Sequence, residues 1–227
     1  MTGGEPLVRR GLIEFLRSLS SIPEIRDTSI TTNGILLGEY AERLKNAGVR
    51  RINVSLDSLK PDRYARITRG GDIGRAMEGI AKAHACGLSP VKLNMVPLRG
   101  VNEDEILDFA ALTLKLPYEV RFIEMMPFEK TYNEFKSEFL SNEVVEGRIR
   151  EVYGLDDIRP AEGRARGPAK LFKIRGARGA IGFISSITEH FCSSCNRLRL
   201  TADGHLRACL FSEEEVDLKG PLRAGCS

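Results

Sequence analysis

Between residues 6 and 127, short strands alternate with amphipathic helices, and this alternation limits the possible folds more than any other feature of the sequence. Four strands are predicted, in TSITTNG, RINVSLDS, VKLNMVPL and EVRFIEMMP. Helical periodicity is found in PLVRRGLIEFLRSLS, GEYAERLKNAG, DIGRAMEGIAKAHACG and NEDEILDFAALTLKL, the last with Asn102 as the expected N-cap. Strands separated by helices of this length are typical of parallel βαβ units, so the sequence predicts an α/β fold.

The predicted strands alternate apolar and polar side chains. In RINVSLDS, Ile52 and Val54 face one way and Asn53 faces the other, and SITTN and VKLNMV repeat the pattern. Buried parallel strands are usually continuous hydrophobic runs, so the alternation indicates one face packed on helices and one lined with polar groups. A barrel or half-barrel with a polar lumen fits this pattern and would hold a ligand near the strand carboxyl ends. The alternative is an open sheet with one solvated face.

The pattern changes after Pro127. Residues 128–154 are predicted to be helical, residues 159–170 form a basic loop rich in Gly and Pro, and KLFKIRG and GAIGFISSIT are predicted to form a β-hairpin. We therefore predict a partial barrel over residues 1–127 and an α+β extension with a cysteine hairpin over residues 128–227.

Composition excludes several classes of protein. The chain has 227 residues and a formal net charge of +3, which gives no reason to expect a nucleic-acid or membrane-surface partner. No apolar run approaches the roughly 18 residues of a membrane span. The N-terminal stretch MTGGEPLVRR has no hydrophobic signal core.

Three of the five cysteines cluster within HFCSSCNRLRLTADGHLRACL, at Cys192, Cys195 and Cys209. Clustered thiols without a secretory signal favour a metal or redox site over a disulfide framework. Such thiols fit a reducing compartment, either the bacterial cytoplasm or the mitochondrial matrix.

The segment between these cysteines is predicted to form a strand, a turn and a second strand. The three-residue loop ADG pairs Thr201 with His205, so Cys209 falls opposite Arg197. The side chains predicted to share one face are Cys195, Arg197, Arg199 and Cys209.

Three thiolates are compatible with several kinds of site. An iron–sulfur cluster normally takes four thiolates, so three would leave one iron free for a substrate. Zinc would need a fourth ligand, which His205 could supply. A redox C-x2-C pair would leave Cys209 unused. Arg197 and Arg199 suit a phosphate or carboxylate, because a guanidinium binds such groups bidentately, although arginines also occur on solvated strand faces.

The sequence resembles a known family in the order of seven motifs. These are TGGEPL, TTNG, RINVSLDSL, PVKLNMV, RGVNEDEILDFAALT, VRFIEMMPF and EHFCSSCNRLRLTADGHLRACLF. They occur in the same order in the radical SAM GTP 3′,8-cyclases of molybdenum-cofactor biosynthesis (the MoaA family), which are lyases. The resemblance covers essentially the whole chain.

The resemblance implies a partial (β/α)6 radical SAM barrel with a C-terminal extension. It also implies two [4Fe–4S] clusters, of which the N-terminal one binds and cleaves S-adenosylmethionine. The resulting radical abstracts hydrogen from the ribose C3′ of GTP, and C3′ then bonds to C8 to give 3′,8-cyclo-7,8-dihydro-GTP. The C-terminal cluster, held by three cysteines, binds the guanine through its open iron.

The family's functional residues match positions of this sequence. The implied ligands of the C-terminal [4Fe–4S] cluster are Cys192, Cys195 and Cys209. The implied GTP contacts are Thr31, Lys92, Arg197 and Arg199. The implied S-adenosylmethionine contacts are Gly4, Ser55 and Met126. Singly, some have plainer interpretations: GGEP as a turn before a helix, Lys92 as a snorkelling surface lysine, and Asn53 and Asn94 as core amides.

Two departures from the family pattern shape the remaining expectations. The C-x3-C-x2-C motif of the radical-generating cluster and the Gly-Gly tail are not found. We therefore expect a chain truncated at both ends, without the first βα unit and the second strand, inactive alone and prone to associate through an open sheet edge. The resemblance implies a homodimer and a downstream cyclic pyranopterin monophosphate synthase. The alternative functions are a non-catalytic iron–sulfur, GTP-binding relative and a zinc-stapled binding module.

Overall fold

The computed structural model describes residues 1–127, 132–158, 167–190, 192, 195–212 and 214–225. The chain divides into two compact units, Met1–Glu189 and His190–Ser227. The first unit contains a seven-stranded sheet and the second a three-stranded sheet. Strands from both sides of residue 127 belong to the larger sheet, so the compact units do not divide there, and the functional division at residue 127 stays a prediction.

The sheet of the first unit is mainly parallel. Its strands are β1 Ser29–Thr32, β2 Arg51–Ser55, β3 Val91–Met95, β4 Glu119–Ile123, β5 Asp156–Asp157, β6 Lys170–Lys173 and β7 Ala180–Ile184. Their order in the sheet is β1-β2-β3-β4-β7-β6-β5. The first five strands in this order, β1, β2, β3, β4 and β7, pair in parallel, whereas β6 pairs antiparallel with β7 and β5 pairs antiparallel with β6. All four predicted strands and the predicted β6–β7 hairpin are present, and the α/β class is confirmed.

Seven helices accompany this sheet in the described part of the first unit. They are α1 Leu12–Ser20, α2 Leu37–Asn46, α3 Pro61–Thr68, α4 Ile73–Ala85, α5 Ile106–Lys115, α6 Tyr132–Glu138 and α7 Asn142–Tyr153. The opening stretch, predicted as one helix, is a 3-10 turn at Pro6–Val8 followed by α1, because Gly11 lies between them with a left-handed φ of 73°. The predicted helical region before residue 154 contains two helices, since the Ser141 side chain caps α7 by accepting from the Val144 N–H.

The predicted capping role of Asn102 is wrong. Its side chain makes no cap hydrogen bond and is fully buried. The amide instead donates to the carbonyls of Asp57 at 2.8 Å and Val96 at 3.0 Å, and accepts from the Leu98 N–H at 2.7 Å. This buried amide, with its three partners, joins the loops after β2 and β3. The Asn102 side chain therefore bridges two loops and does not cap the helix.

The core lies on one face of the sheet. Ile52, Val54, Leu93 and Phe122 alternate along β2, β3 and β4 and are completely buried in one cluster with apolar helix residues. Helices α2 and α4 pack so closely that a Cβ added at Gly79 of α4 would lie 3.0 Å from the backbone nitrogen of Gly38 in α2. The helices therefore cover the apolar face, and the alternate side chains project from the opposite face.

The second unit is a small antiparallel sheet with one helix. Its elements are β8 Arg199–Leu200, β9 His205–Arg207, β10 Val216–Asp217 and α8 Lys219–Arg223. The Thr201 N–H donates to the His205 carbonyl at 2.8 Å, which confirms the predicted hairpin register. The paired residues end at Arg199 and Arg207, so the opposition of Arg197 and Cys209 stays a prediction. None of the described side chains in this unit is buried.

Among the described residues, no helix has the length and apolar character needed to cross a bilayer.

The carboxylate of Glu124 joins three separate segments of the first unit. Glu124 directly follows β4 and is completely buried. One carboxylate oxygen accepts from the N–H of Asn142 at 3.0 Å and the hydroxyl of Thr188 at 2.6 Å. The other accepts from the N–H groups of Ile187 and Thr188, both at 2.9 Å. The end of β4, the start of α7 and the chain after β7 are thereby held together.

We expect Glu124→Gln to lower the free energy of unfolding by about 2–4 kcal/mol, because an amide NH2 would face backbone N–H groups that lose their acceptor. Urea denaturation measures the loss. The matched control is Glu39→Gln on an exposed pair with Arg75, where the change should stay within about 0.5 kcal/mol. Equal losses in the two variants would contradict the role given to Glu124.

Candidate functional site

A row of polar side chains crosses four strands on the face opposite the core. The parallel register pairs Thr31 with Asn53, Asn53 with Lys92, and Lys92 with Glu119. Neighbouring strands lie about 4.8 Å apart, so these four side chains form one continuous line. The polar face predicted from the alternation of β1 to β3 is therefore present, and it extends onto β4.

A second row lies two residues further along the strands. Ser55, Asn94 and Arg121 are paired in register, and Gly182 of β7 follows them. A Cβ at Gly182 would lie 3.3 Å from the Arg121 Cγ, so the glycine leaves space for the arginine stem. The Asn94 Oδ1 is buried and has no hydrogen-bond partner among the described residues, so a donor group on a ligand would find a free acceptor there.

Thr31 is oriented by its neighbour in the first row. The Asn53 amide donates to the Thr31 hydroxyl at 3.2 Å and contacts the Ile30 carbonyl at 3.5 Å. Asn53 and Asn94 are both only half-buried. Neither is a core amide, which was the plainer interpretation of their positions.

A cluster of charges occupies the centre of the two rows. The Glu119 Oε1 lies 2.5 Å from both the Nε and the Nη2 of Arg121, and 3.8 Å from the Lys92 Nζ. The side chains of Lys92, Glu119 and Arg121 are only 9%, 12% and 14% exposed. Two cations therefore share one carboxylate in a nearly enclosed position, and the trio carries a net charge of +1 when Lys92 is protonated.

The environment of Lys92 makes its ammonium titrate far below the usual range. Burial, together with the positive charge of Arg121, lowers the pKa of Lys92 from 10.5 to about 8, against the opposing attraction of Glu119. Lys92 is therefore not a surface lysine with its head in water. It is a buried cation whose charge is lost just above neutral pH.

The GGEP turn is fixed to the end of β1 by its glutamate. One Glu5 carboxylate oxygen accepts from the Leu7 N–H at 3.0 Å and the Thr32 hydroxyl at 2.7 Å, and the other accepts from the Asn33 N–H at 2.8 Å. Gly4, just before it, has a φ of 49° in the left-handed region. Through these bonds, the Glu5 carboxylate positions Gly4 beside the carboxyl end of β1.

Ser55 and Met126 lie at the same end of the sheet. Ser55 is the last residue of β2 and is exposed. β4 ends at Ile123, so the strand alternation does not extend to Met126, which is half-buried in the following segment.

The loops that follow β2 and β3 are joined by buried carboxylates. Asp57 accepts from the Val96 N–H at 2.8 Å, and burial raises the pKa of Asp57. The fully buried Glu105 accepts from the Ser58 hydroxyl at 2.7 Å, the Leu59 N–H at 2.6 Å and the Arg63 guanidinium at 2.5 Å. These bonds hold the backbone directly after Ser55.

The cysteine segment belongs to the second unit and is described separately. The Cys195 N–H donates to the Cys192 carbonyl at 3.2 Å. The thiols of Cys192, Cys195 and Cys209 are exposed. Among the described residues, no three metal-binding side chains are gathered into one coordination geometry. Thiolates suit a soft metal or an iron–sulfur cluster. The three thiols are not arranged around a common metal position in this structure.

The arginines of this segment lie beside the thiols. The Arg197 Nε donates to the Cys195 Sγ at 3.4 Å, and this hydrogen bond, assisted by the charges of Arg197 and Arg199, lowers the pKa of the Cys195 thiol. A lowered thiol pKa favours the thiolate, which is the form that binds metals.

His205 is directed toward acidic side chains. Its Nδ1 lies 3.3 Å from Asp203 and 3.9 Å from Glu215. A carboxylate near Nδ1 is compatible with metal binding through the other ring nitrogen, Nε2. The position of His205 therefore leaves both a three-cysteine centre and a Cys3His zinc set open.

Sequence reasoning missed Glu119 and Arg121 as members of the polar face. Both occupy alternate positions of EVRFI, with the same period of two residues that identified Thr31 and Lys92. Applying that alternation to β4 would have included them. Their pairing with Lys92 could not be read from the sequence, because it depends on the register between β3 and β4.

Comparison with known proteins identifies the family. Residues 1–113 match the Radical SAM superfamily, and residues 118–227 match Molybdenum Cofactor Synthesis C. The fold and the polar strand ends thus belong to a radical SAM protein, a class that uses an iron–sulfur cluster and S-adenosylmethionine. More particularly, the chain belongs to the GTP 3′,8-cyclase family of molybdenum-cofactor synthesis.

Three relatives show how close this membership is. GTP 3′,8-cyclases of Moorella thermoacetica and Alkaliphilus metalliredigens are each 51% identical, over 99% and 96% of this chain. The GTP 3′,8-cyclase of Pelotomaculum thermopropionicum is 52% identical over 99% of this chain. The matches cover 69%, 66% and 69% of those three proteins in the same order, so the chain spans about two thirds of their length.

The titration of Lys92 predicts a pH dependence of stability. The folded protein releases the Lys92 proton near pH 8, whereas the unfolded chain holds it until about pH 10.5, so the unfolded state binds more protons in between. The Lys92 contribution to the free energy of unfolding therefore rises with pH across this interval. We expect Lys92→Met to lose this rise, and to be at least as stable as the parent at pH 7 because no cation is desolvated.

Urea denaturation between pH 7 and pH 10 measures this difference. The control is Lys115→Met, which removes an exposed lysine and should keep the full rise. An unchanged pH dependence in Lys92→Met would show that Lys92 titrates normally.

Proposed function

We propose that this chain forms the part of a GTP 3′,8-cyclase that holds GTP and S-adenosylmethionine for conversion of GTP to 3′,8-cyclo-7,8-dihydro-GTP. This reaction is the first step of molybdenum-cofactor biosynthesis. The observation that carries the proposal is the in-register row of Thr31, Asn53, Lys92 and Glu119, because it gathers two of the GTP contacts implied by the family on one enclosed polar surface.

The charge of this surface suits a nucleotide. Lys92 and Arg121 offer an ammonium and a guanidinium side by side, and such groups bind phosphate oxygens strongly when water is largely excluded. Thr31 at the end of the first row and the free Asn94 acceptor in the second row add uncharged hydrogen-bonding groups. An anionic ligand with sugar hydroxyls and ring N–H groups would use both kinds of contact.

S-adenosylmethionine is assigned to the strand ends. Gly4, Ser55 and Met126 lie at the carboxyl ends of β1, β2 and β4, where ligands of parallel α/β sheets bind. Glu5, Glu105 and Glu124 fix the backbone next to each of them through the hydrogen bonds described above. A partial (β/α)6 barrel, which is the fold implied by the family, would direct these ends toward one cavity.

The C-terminal [4Fe–4S] cluster is assigned to Cys192, Cys195 and Cys209. Arg197 supports this assignment by favouring the thiolate of Cys195. A three-cysteine cluster would supply an open iron for a nitrogen or oxygen of the substrate. The family resemblance implies that Arg197 and Arg199 also contact GTP.

The family resemblance also supplies the partners in this proposal. The cyclised nucleotide would be consumed by a cyclic pyranopterin monophosphate synthase. The enzyme would act as a homodimer in a reducing compartment.

Anaerobic reconstitution with iron and sulfide tests the cluster. We expect about four irons per chain and an electron paramagnetic resonance signal that GTP perturbs. Cys209→Ser should lose most of the iron, whereas His205→Ala should keep it, because a cluster held by three thiolates does not use the imidazole.

Zinc bound stoichiometrically, resistant to replacement by iron and lost in His205→Ala, would overturn the cyclase assignment in favour of a structural zinc module. A full iron content without any effect of GTP on the spectrum would instead indicate a non-catalytic iron–sulfur relative.

A further inference from the structure

Glu119 is the one acid in the first polar row, and it faces two cations on neighbouring strands. The row places Lys92 directly beside Glu119 on β4, and Arg121 lies two residues further along the same strand. Only one carboxylate oxygen, Oε1, contacts both cations. Among the described residues, no hydrogen bond reaches Oε2, so this oxygen is available to a ligand.

The charges around Lys92 come from two strands, β2 and β4, and from the segment before β1. β2 contributes Arg51, which pairs with Asp27, while β4 contributes Glu119 and Arg121. β7, the next strand after β4, presents Ala180 and Gly182 at the corresponding positions and adds no charge. Glu119 is therefore the nearest anion that offsets the burial of Lys92 and its repulsion by Arg121.

We propose that Glu119 is a positioning residue that holds Lys92 and Arg121 together as a charged pair, so that the phosphates of a nucleotide meet both cations in a fixed arrangement. This proposal rests on the proposed function of the polar face as a GTP site. The two cations outnumber the single carboxylate, so the trio keeps a net positive charge on the proposed ligand-binding face.

The consequence of this arrangement is a dependence of nucleotide affinity on pH. The phosphate ligand favours charged Lys92, and the pKa of Lys92 is already lowered to about 8. Without Glu119, Arg121 and Arg51 repel the ammonium with less compensation, so Lys92 loses its proton at a lower pH. The same substitution removes an anion that repels phosphate, so the affinity near pH 6 should not fall.

The experiment is a pH series of GTP affinity on the anaerobically reconstituted chain, by isothermal titration calorimetry. We expect affinity in the parent protein to decline above about pH 8. In Glu119→Gln the decline should begin at a lower pH, giving an affinity roughly tenfold weaker than the parent at pH 8.5 for a pKa lower by one unit. At pH 6 the variant should bind as well as the parent or more tightly.

Two further variants separate positioning from general damage. Glu119→Asp keeps the charge and should keep the parent pH profile at a modestly reduced affinity. Lys92→Arg in the Glu119→Gln background keeps its charge at every pH used, so it should abolish the decline. Guanosine, which has no phosphates, should show little pH dependence with any of these proteins below pH 8.5.

Trace acetylation of Lys92, followed by peptide mass analysis, reports its protonation without any ligand. A lower midpoint in Glu119→Gln supports the coupling of Glu119 to Lys92. If this midpoint moves but neither protein binds GTP, the nucleotide site is wrong and the positioning role falls with it, while the charge coupling remains. An unchanged midpoint, or an equal loss of affinity at all pH values, overturns the positioning role even when the parent binds GTP.

Discussion

The register of the parallel strands is the constraint on which the candidate site depends. Thr31, Asn53, Lys92 and Glu119 come from four strands that are far apart in sequence, and they meet only because each strand pairs with its neighbour without a shift. A slip of one residue would turn every polar side chain into the core and every apolar one to the ligand face. The completely buried partners of these positions, such as Ile52 and Leu93, therefore fix the register and, through it, the site.

Carboxylates that accept several hydrogen bonds hold the carboxyl ends of the strands. Glu5, Glu105 and Glu124 each accept from backbone N–H groups and at least one hydroxyl, and each joins segments distant in sequence. Loops at strand ends have many backbone groups that regular structure leaves unpaired, and an ionised carboxylate can satisfy several of them at once. The binding surface is thus built on loops that behave as fixed extensions of the sheet.

Sequence reasoning was accurate where local pattern determines structure and failed where distant segments meet. The alternation in RINVSLDS and VKLNMVPL was sufficient to find β2, β3 and their polar faces, and the ADG loop was sufficient to set the register of the small hairpin. The role of Asn102 could not be predicted, because capping and loop bridging use the same residue type and only the fold brings Asp57 within reach. The ion trio of Lys92, Glu119 and Arg121 was hidden for the same reason.

The trio of Lys92, Glu119 and Arg121 also shows that the residues of a candidate ligand site can lower the stability of the fold. Burying Lys92 beside Arg121 costs free energy that a single carboxylate offsets only in part, as the low pKa of Lys92 records. A methionine at that position would be buried without the desolvation of a charge and would offer no cation to a phosphate. The desolvation that weakens the fold also removes the water that would screen the two cations, so a phosphate arriving there meets a stronger field than at the protein surface. The cost to folding and the affinity for an anion therefore have one physical origin, which is the low exposure of the charged row.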